Sequence, residues 1–379
     1  MPGSWNPFNI KSYASTLDVE LLKAEVGQRF PFYDMSTGLQ TVVFFVNIDE
    51  KQVEKQFDDL RRSLISKGYI PLMRHDKGEH KIIVAAKPER KIRPVWVNIV
   101  LLIATVCTTT LAGSLQWVNI HQGTYLEIFS LHYLFDGFMF FSLPLLSILG
   151  IHEMGHYLAS KRHHVDASLP FFMPLPPPFI LGTLGAFIST REPIPNRKAL
   201  LDIGAAGPLC GFFVAIPVSL IGLFLMQQSP IIVESEQTGF IIFYPLILQG
   251  LDAFFTIPSN AIIHPTAFAG WVGFFITALN LLPIGQLDGG HVSRALFKDK
   301  SRLVTWMTVI AIMSLGMYTF LVTNFGGWLF FLLFIMILVG TQHPAPLNEF
   351  SGLNKERYII GVITFIVFIL CFAPIPLSA

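Results

Sequence analysis

The sequence predicts an all-α polytopic membrane protein of about seven spans, with a small α+β domain at its amino-terminal end. Of its 379 residues, 52% are hydrophobic and 13% are charged, about half the charged fraction of a typical soluble domain. Several uncharged stretches reach the ~20 residues that a helix needs to cross a bilayer. The chain therefore divides into a soluble domain over residues 1–92 and a membrane domain over residues 93–379.

Charge and cysteine content exclude several other classes of protein. A net charge of +1, without a long basic run, argues against a nucleic-acid partner. Cys107, Cys210 and Cys371 lie in apolar segments without ligand-like spacing, so we expect buried small side chains and not disulfides or metal ligands. The first 40 residues show no cationic start followed by an apolar core, which predicts no cleaved signal peptide.

The amino-terminal domain is predicted to fold as a β-α-β-β unit. Thr41 to Asn47 is β-branched and aromatic between polar flanks, which is typical of a strand. From Glu50 to Lys67, apolar residues recur at helical spacing among charged ones, which indicates an amphipathic helix ended by Gly68. Tyr69 to Arg74 and His80 to Ala86 are predicted to form a hairpin. No catalytic motif is visible here, so we expect a regulatory or scaffolding domain.

Seven spans account for the apolar segments of the membrane domain and place every cationic cluster on one side. The positive-inside rule then puts the amino-terminal domain in the cytoplasm and the carboxyl terminus outside. The cationic clusters lie at 90–93, 161–162, 191–198, 298–302 and 355–357. The spans are predicted near 95–117, 136–160, 199–226, 268–296, 303–323, 326–342 and 357–377.

The apolar stretch from Ile241 to Ile257 decides that count. Pro245, Gly250 and Asp252 interrupt it, and an eighth span here would move the last two cationic clusters to the outside. We therefore predict a re-entrant or interfacial segment.

The pentapeptide His152-Glu153-Met154-Gly155-His156 lies within the uncharged apolar run of the second predicted span. Two histidines four residues apart share one face of a helix and can bind one zinc ion, while the glutamate between them can act as general base on water. Ionisable groups at membrane depth are costly and are therefore candidates for function. This motif predicts a membrane-embedded metallohydrolase.

A catalytic zinc site needs a third protein ligand, and Asp288 in a later apolar span is the best candidate. His152 lies nine residues from Lys161, and Asp288 lies ten residues from Lys298. At ~1.5 Å per residue, both sit about 14–15 Å from the cytoplasmic end. His291, three residues after Asp288, remains an alternative ligand or a group that supports the site.

The helix that carries Asp288 is predicted to be broken, which is tolerated where protein or a water-filled cavity surrounds the break. Asn280, two turns before Asp288, either donates a hydrogen bond to a developing oxyanion or packs as an ordinary helix amide. The residues that predict the break are Pro283, Gly285, Gly289 and Gly290.

Together, His152-Glu153-x-x-His156 in one span and Asn280…Pro283…Leu287-Asp288-Gly289 in a later one resemble the paired signature motifs of the site-2 protease class of zinc-dependent intramembrane metalloproteases. Gly207-Pro208 between them fits its three-helix core. The resemblance covers about residues 136–297 and looks most like the prokaryotic and chloroplast EGY-like branch. It implies one zinc ion per chain, held by His152, His156 and Asp288, with Glu153 activating water.

The connection between the two motifs is predicted to be non-helical. Val165 to Pro178 holds five prolines, which preclude a continuing helix, and Leu181 to Thr190 is predicted to form a strand or hairpin arm. We expect this loop to gate the site and its edge to pair with an extended substrate backbone. The alternative is a packing loop without substrate contact. The candidate substrate-binding residues are Gly182, Gly185, Ala186 and Phe187.

The predicted function is hydrolysis of a peptide bond in or near a transmembrane segment of a protein substrate in the lipid bilayer. One alternative is a proteolytically inactive chaperone or binder of membrane proteins, against which the intact Glu153 argues. Another is a metal or proton transporter, against which the scarcity of polar residues after position 303 argues. Because nothing resembles a transit peptide, we expect a prokaryotic plasma membrane as the location.

Overall fold

The computed structural model describes residues 17–49, 52–76, 78–88, 93–232, 241–338, 340 and 343–378. Over these residues the fold is mostly helical, with a small sheet domain at the amino-terminal end. Glu50, Arg90 and Lys91, and the predicted domain boundary at 92, lie outside the described residues.

The amino-terminal domain contains the predicted strand, helix and hairpin, together with a helix and a strand that precede them. The missed strand is a largely exposed edge strand, so it lacks the apolar alternation from which a strand is predicted. The elements are α1 (Val19–Gly27), β1 (Phe32–Thr37), β2 (Thr41–Val46), α2 (Val53–Ser66), β3 (Tyr69–Asp76) and β4 (Glu79–Ala86).

An antiparallel sheet of order β1-β2-β4-β3 shares its core with the two helices. Alternate residues of β2 are buried, as expected for a strand with one face on a core. Helix α2 buries Phe57, Leu60 and Leu64 at helical spacing. Leu347, from far along the chain, is also fully buried in this core.

Six helices with short strands follow up to the middle of the membrane domain. α4 and α5 run on through one π-helical turn over Phe138–Ser142. The elements are α3 (Val95–Ile120), α4 (Leu131–Gly137), α5 (Leu143–Arg162), β5 (Phe171–Pro174), β6 (Thr183–Phe187), α6 (Arg197–Gln228), β7 (Ile241–Ile242), α7 (Leu246–Asp252) and α8 (Pro265–Leu281).

The second half of the membrane domain begins with a short helix and ends in a two-residue strand. A 3₁₀ turn at Lys298–Lys300 joins its first two helices. The elements are α9 (Asp288–Phe297), α10 (Ser301–Thr323), α11 (Gly327–Leu338), α12 (Lys355–Cys371) and β8 (Leu377–Ser378).

Four helical segments of the described chain are long and apolar enough to cross a membrane: Val95–Ile120, Leu131–Arg162, Arg197–Gln228 and Asp288–Thr323. The first three coincide with predicted spans, and the fourth joins α9 to α10. Helices α8, α11 and α12 have 17, 12 and 17 residues, short of the ~20 that a crossing helix usually has. The count of about seven spans is therefore not confirmed by helix length.

The stretch from Ile241 to Ile257 does not form a long helix. Its helix α7 has seven residues, about 10 Å at 1.5 Å per residue, which is too short to cross a bilayer. The preceding strand β7 pairs with β8 at the end of the chain, so both lie at the same end of the helical bundle. This arrangement agrees with the predicted interfacial segment.

Helix α6 lies at the centre of the bundle and packs against α5, α8, α9 and α12. Small residues allow this close packing: a Cβ added at Gly222 would lie 2.2 Å from the backbone nitrogen of Ala267 in α8. Leu145, Ile148, Phe212 and Phe274 are buried where α5, α6 and α8 meet. The helices that carry the predicted motifs therefore form one packed unit.

The prediction that all three cysteines are buried is wrong for Cys107. Cys371 is buried and Cys210 is partly buried, but Cys107 is exposed on α3. A helix that crosses a membrane can turn a small apolar side chain outward, because lipid tails are as apolar as a protein core.

We expect Leu60→Ala to loosen the amino-terminal domain of the full chain. Leu60 is fully buried between α2 and the sheet, and truncation of such a side chain costs about 2–5 kcal/mol. Hydrogen exchange of the β2 and β4 amides in detergent measures this change. Lys55→Ala, at an exposed position of the same helix, should leave those amides as protected as in the parent, and equal loss in both variants would contradict the assigned core.

Candidate metal centre

Three ionisable side chains from distant parts of the chain converge inside the bundle. Nε2 of His156 lies 3.2 Å from Nε2 of His152 and 3.2 Å from Oδ2 of Asp288. Nε2 of His152 lies 3.5 Å from the same carboxylate oxygen. The two histidines are 4% and 6% exposed. Among the described residues, these three form the one group of His, Cys, Asp and Glu side chains whose ligand atoms converge closely enough to hold a metal ion.

Helix α5 supplies both histidines because positions four apart lie on one helical face. Nδ1 of His156 is 2.7 Å from the carbonyl oxygen of Ile203 in α6. A carbonyl only accepts, so Nδ1 donates the proton and Nε2 presents its lone pair to the centre. A hydrogen bond of this kind fixes the tautomer and the orientation of a metal-binding imidazole.

The helix break predicted around Asp288 is present, and it places this carboxylate at the centre. α8 ends at Leu281 and α9 begins at Asp288, while the Thr305 hydroxyl donates to the carbonyl oxygen of Pro283 within the break. A Cβ added at Gly289 would lie 2.0 Å from the carbonyl oxygen of Leu281. Only glycine permits this approach, so the tight turn that directs Asp288 inward depends on Gly289.

Glycines of α6 make room for the imidazoles. A Cβ added at Gly207 would lie 2.1 Å from Nε2 of His156, and one at Gly211 would lie 3.1 Å from Nδ1 of His152. Gly207-Pro208, noted in the sequence for its likeness to the three-helix core, thus forms the wall behind one candidate ligand. The spacing Gly207-x-x-x-Gly211 is itself a signal of close helix contact in membranes.

Glu153 and Asn280 border the same centre. An Oε1 of Glu153 lies 4.0 Å from Nε2 of His152, and the side chain is almost fully buried. The backbone amide of Ile188, just after β6, lies within hydrogen-bonding reach of the Glu153 carboxylate. Nδ2 of Asn280 lies 3.4 Å from Nε2 of His152. The sequence had no signal for Ile188, since a backbone amide leaves no motif.

The proline-rich connection forms a small antiparallel sheet of β5 and β6 next to this centre. Phe172 pairs with Ala186 and Phe171 pairs with Phe187; the rings of Phe171 and Phe187 stack at 5.6 Å. Ser189 hydrogen-bonds through both its N–H and its carbonyl to Ser168 on the β5 side.

Alternation along the strand then turns the backbone groups of Ala186 and Ile188 toward the other edge of β6. That is the edge on which Glu153 lies, because the Ile188 amide reaches its carboxylate. Gly182 has a different surrounding: its carbonyl accepts from the Thr108 hydroxyl of α3 at 2.7 Å. Gly185 adopts a φ of +100°, and its amide donates to the Thr183 hydroxyl.

His291 lies outside the converging group, so the geometry favours Asp288 as the third candidate ligand. The Nδ1 atom of His291 instead contacts Nε2 of His343, between α11 and α12. Arg197, which the sequence showed only as part of a cationic cluster, is 5% exposed and donates to the carbonyl oxygen of Ala295 in α9. Its burial had no sequence signal, because the cluster is equally typical of a solvated helix end.

Comparison with known proteins agrees with this site. Residues 140–323 match Peptidase family M50. The "Probable zinc metalloprotease EGY1, chloroplastic" of Arabidopsis thaliana is 31% identical over 247 residues, which cover 62% of this chain and 43% of that protein. The protein of the same description from Oryza sativa subsp. japonica is 30% identical over 61% of this chain and 39% of its own length. "Probable zinc metalloprotease EGY2, chloroplastic" of Arabidopsis thaliana is 26% identical over 61% of this chain and 41% of its own length.

The matched region thus spans about two fifths of the length of these relatives. No solved structure matches the chain. The predicted resemblance to the site-2 protease class and to EGY-like proteins is confirmed over residues 140–323, the part of the chain that matches Peptidase family M50.

We expect Gly207→Ala to abolish divalent-metal binding, because its Cβ would displace the His156 ring. The metal content of purified protein, measured by elemental analysis, tests this. Gly222→Ala is the matched control, since it crowds the contact of α6 with α8 as severely at a different place. Equal metal loss in both variants would attribute the effect to general misfolding.

Proposed function

We propose that this chain, through the region that matches Peptidase family M50, is an intramembrane zinc metalloprotease that cleaves a peptide bond in or near a transmembrane segment of a membrane protein. The observation that carries the proposal is the convergence of His152, His156 and Asp288, with Glu153 beside them, inside a bundle of apolar helices. Buried ionisable groups are retained in such surroundings where they serve a function.

The donor set fits zinc. Ligand atoms at about 2.0–2.1 Å from a tetrahedral zinc ion are separated from one another by roughly 3.3–3.4 Å, close to the 3.2, 3.2 and 3.5 Å observed. Two imidazole nitrogens and one carboxylate oxygen are also the donors that catalytic zinc sites use. His152, His156 and Asp288 would therefore hold one ion per chain. A bound zinc ion supplies Lewis-acid activation of water and of the scissile carbonyl.

Glu153 is proposed as the general base, which takes a proton from water and then gives it to the leaving amine. The Ile188 amide supports this role, because it favours the ionised carboxylate that a general base needs. Asn280 is proposed to donate its amide hydrogen to the oxyanion that develops on the substrate carbonyl. Its Nδ2 atom, 3.4 Å from His152, is close enough to the centre for that role.

The edge of β6 is proposed to bind the substrate as an added strand. Peptide hydrolysis requires an extended backbone, whereas a transmembrane helix keeps its amides in internal hydrogen bonds. Ala186 on the Glu153 side of β6 would pair with the substrate, and Phe187 and Gly185 would shape the strand. Gly182, bound to Thr108 of α3, would fix the loop and not contact the substrate itself.

The proposed topology has seven crossings, with the short helices α8, α11 and α12 included. Lys198, in the first turn of α6, pairs with Glu54, and Glu192, in the connection between α5 and α6, pairs with Lys87. This connection and the start of α6 therefore meet the amino-terminal domain. At the opposite end, β7 pairs with β8. Seven crossings would put the α5–α6 connection and the β7–β8 pair at opposite ends of the bundle, in agreement with these contacts. Short or broken helices are accommodated where neighbouring protein surrounds them.

The amino-terminal domain is proposed to face the cationic side of the membrane. The relatives are named chloroplastic, and they do not support the expected prokaryotic plasma membrane. The cationic side would correspond to the stroma in a chloroplast and to the cytoplasm in a bacterium.

The alternatives find less support in this geometry. An inactive chaperone or binder gains nothing from a carboxylate held beside the metal ligands, as Glu153 is. A metal or proton transporter needs polar groups along a path across the bilayer. Within the described residues of α11, every side chain is apolar.

Glu153→Gln and Asp288→Ala should separate catalysis from metal binding. Glu153→Gln should keep one zinc per chain and lose about 10²–10⁴-fold in cleavage rate, the contribution typical of a general base. Asp288→Ala should lose both zinc and cleavage. Zinc content and cleavage of a reporter transmembrane substrate are measured on the same protein preparations. Unchanged cleavage in Glu153→Gln, or full zinc in Asp288→Ala, would contradict the assigned roles.

Ala186→Pro should slow cleavage without loss of zinc, because proline removes an N–H from the substrate-facing edge of β6. One lost hydrogen bond is worth roughly 1 kcal/mol, about fivefold in rate. Ala186→Ser keeps the N–H and is the control. If the proline variant cleaves the reporter as fast as the serine variant, strand addition is wrong.

A further inference from the structure

Residues 343–351, between α11 and α12, form a segment that we name the strap. The strap has a long contact with the amino-terminal domain. The backbone amide of Met73 donates to the carbonyl oxygen of Leu347 at 2.9 Å, and Arg74 donates to the carbonyl oxygens of Pro346 and Leu347, both at 3.0 Å. Asn348 forms a parallel bridge with Met73. The strap thus covers the β3 edge of the sheet, an edge that would otherwise be open to pairing.

The side chain of Leu347 holds the strap to the amino-terminal domain in addition to these hydrogen bonds. Its side chain is fully buried in the amino-terminal core, together with residues such as Leu72 and Ile82. Its backbone amide also donates to Ile194, and that of Asn348 donates to Pro195, just before α6. The strap is therefore clamped between the sheet and the start of the central helix.

The other side of the strap contacts α9, whose first residue is Asp288. Glu349 forms an ion pair with Arg294, and His343 contacts His291. Both α9 residues project from a helix of ten residues, only about 15 Å long. An irregular connection precedes this helix, so the position of its first end depends on contacts with α6 and with the strap. Arg294 is 12% exposed in its side chain and Glu349 is 35% exposed, which shields their ion pair in part from solvent.

We propose that the amino-terminal domain is a positioning element of the metal centre: it holds the strap, the strap holds α9, and α9 holds the Asp288 carboxylate. The proposal rests on the proposed function, because Asp288 must be a metal ligand for its position to matter. Metal sites demand ligand placement within about 0.5 Å. The amino-terminal domain, which has no catalytic residues of its own, would thereby influence the positions of the metal ligands.

Two variants break this chain of contacts at different places. Arg74→Gln removes two hydrogen bonds from the amino-terminal domain to the strap, and Glu349→Gln removes the ion pair of the strap with α9. Each has a matched control. Lys81 lies opposite Arg74 on β4 and interacts with Asp76 and Glu79, so Lys81→Gln leaves the strap alone. Asp299 is the other partner of Arg294 and is 94% exposed, so Asp299→Asn leaves the strap contact in place.

The test measures zinc release from the full-length protein in detergent to an excess of a chelating dye. We expect Arg74→Gln and Glu349→Gln to speed release roughly threefold or more, below the ~10–100-fold effect of groups that hydrogen-bond a ligand directly. Both controls should release zinc as the parent does. In a double-mutant cycle, Arg294→Gln with Glu349→Gln should be no faster than Glu349→Gln alone. Both substitutions remove the ion pair of Arg294 with Glu349, and the second ion pair of Arg294, with the exposed Asp299, adds little.

If both test variants release zinc at the same rate as the parent protein, the proposal is overturned. Faster release in Glu349→Gln alone would also overturn it, since the amino-terminal domain would then have no part. Zinc release is read without any substrate, so the result does not depend on proteolysis. If the parent binds zinc but cleaves no reporter, the proposed proteolytic activity is refuted. The role of the strap is then still decided by the zinc release rates.

Discussion

The cost of burying ionisable groups in an apolar bundle is the constraint on which the rest of this structure depends. His152, Glu153, His156 and Asp288 lie among helices composed mainly of apolar residues, where an unpaired charge is expensive. The chain meets this cost by directing the four side chains at one another and by giving His156 a carbonyl oxygen as hydrogen-bond partner. The packing around the centre follows from keeping these groups within a few ångströms.

Helix α6 shows how that requirement shapes the sequence. It contacts the helices that carry every candidate ligand. A Cβ at Gly207 would overlap the His156 ring, and a Cβ at Gly211 would crowd the His152 ring. The buried Arg197 at its start donates to the last turn of α9, where helix carbonyls lack internal partners. One helix thus contacts both helices that carry the candidate ligands.

The broken helix and the strap concern the placement of the Asp288 carboxylate beside the two histidines. An intact helix through 265–297 would carry Asp288 past the histidines at a fixed rotation, whereas the break lets α9 start at the centre with its own direction. A short helix after an irregular turn needs restraint, and Arg294 and His291 receive it from the strap. The amino-terminal domain, which buries Leu347 in its core, thereby becomes part of the membrane domain's architecture.

The sequence by itself determined the membrane class, the strand, helix and hairpin of the amino-terminal domain, and the candidate residues His152, Glu153, His156 and Asp288. These features rest on local chemistry: hydropathy over about 20 residues, helical spacing, and the cost of charge at membrane depth. Glycine and proline near Asp288 likewise predicted the break, because their backbone effects are local.

Only the tertiary structure decided which groups meet across the chain. Three contacts illustrate this: the Ile188 amide near Glu153, the Ile203 carbonyl at His156, and the burial of Leu347 in a core formed some 270 residues earlier in the chain. They involve backbone atoms or ordinary leucine side chains. Such groups carry no distinctive residue type, so no pattern in one sequence can single them out. The tertiary structure also separates Asp288, whose carboxylate meets the two imidazoles, from His291, which contacts His343, because α9 turns two residues three apart in different directions.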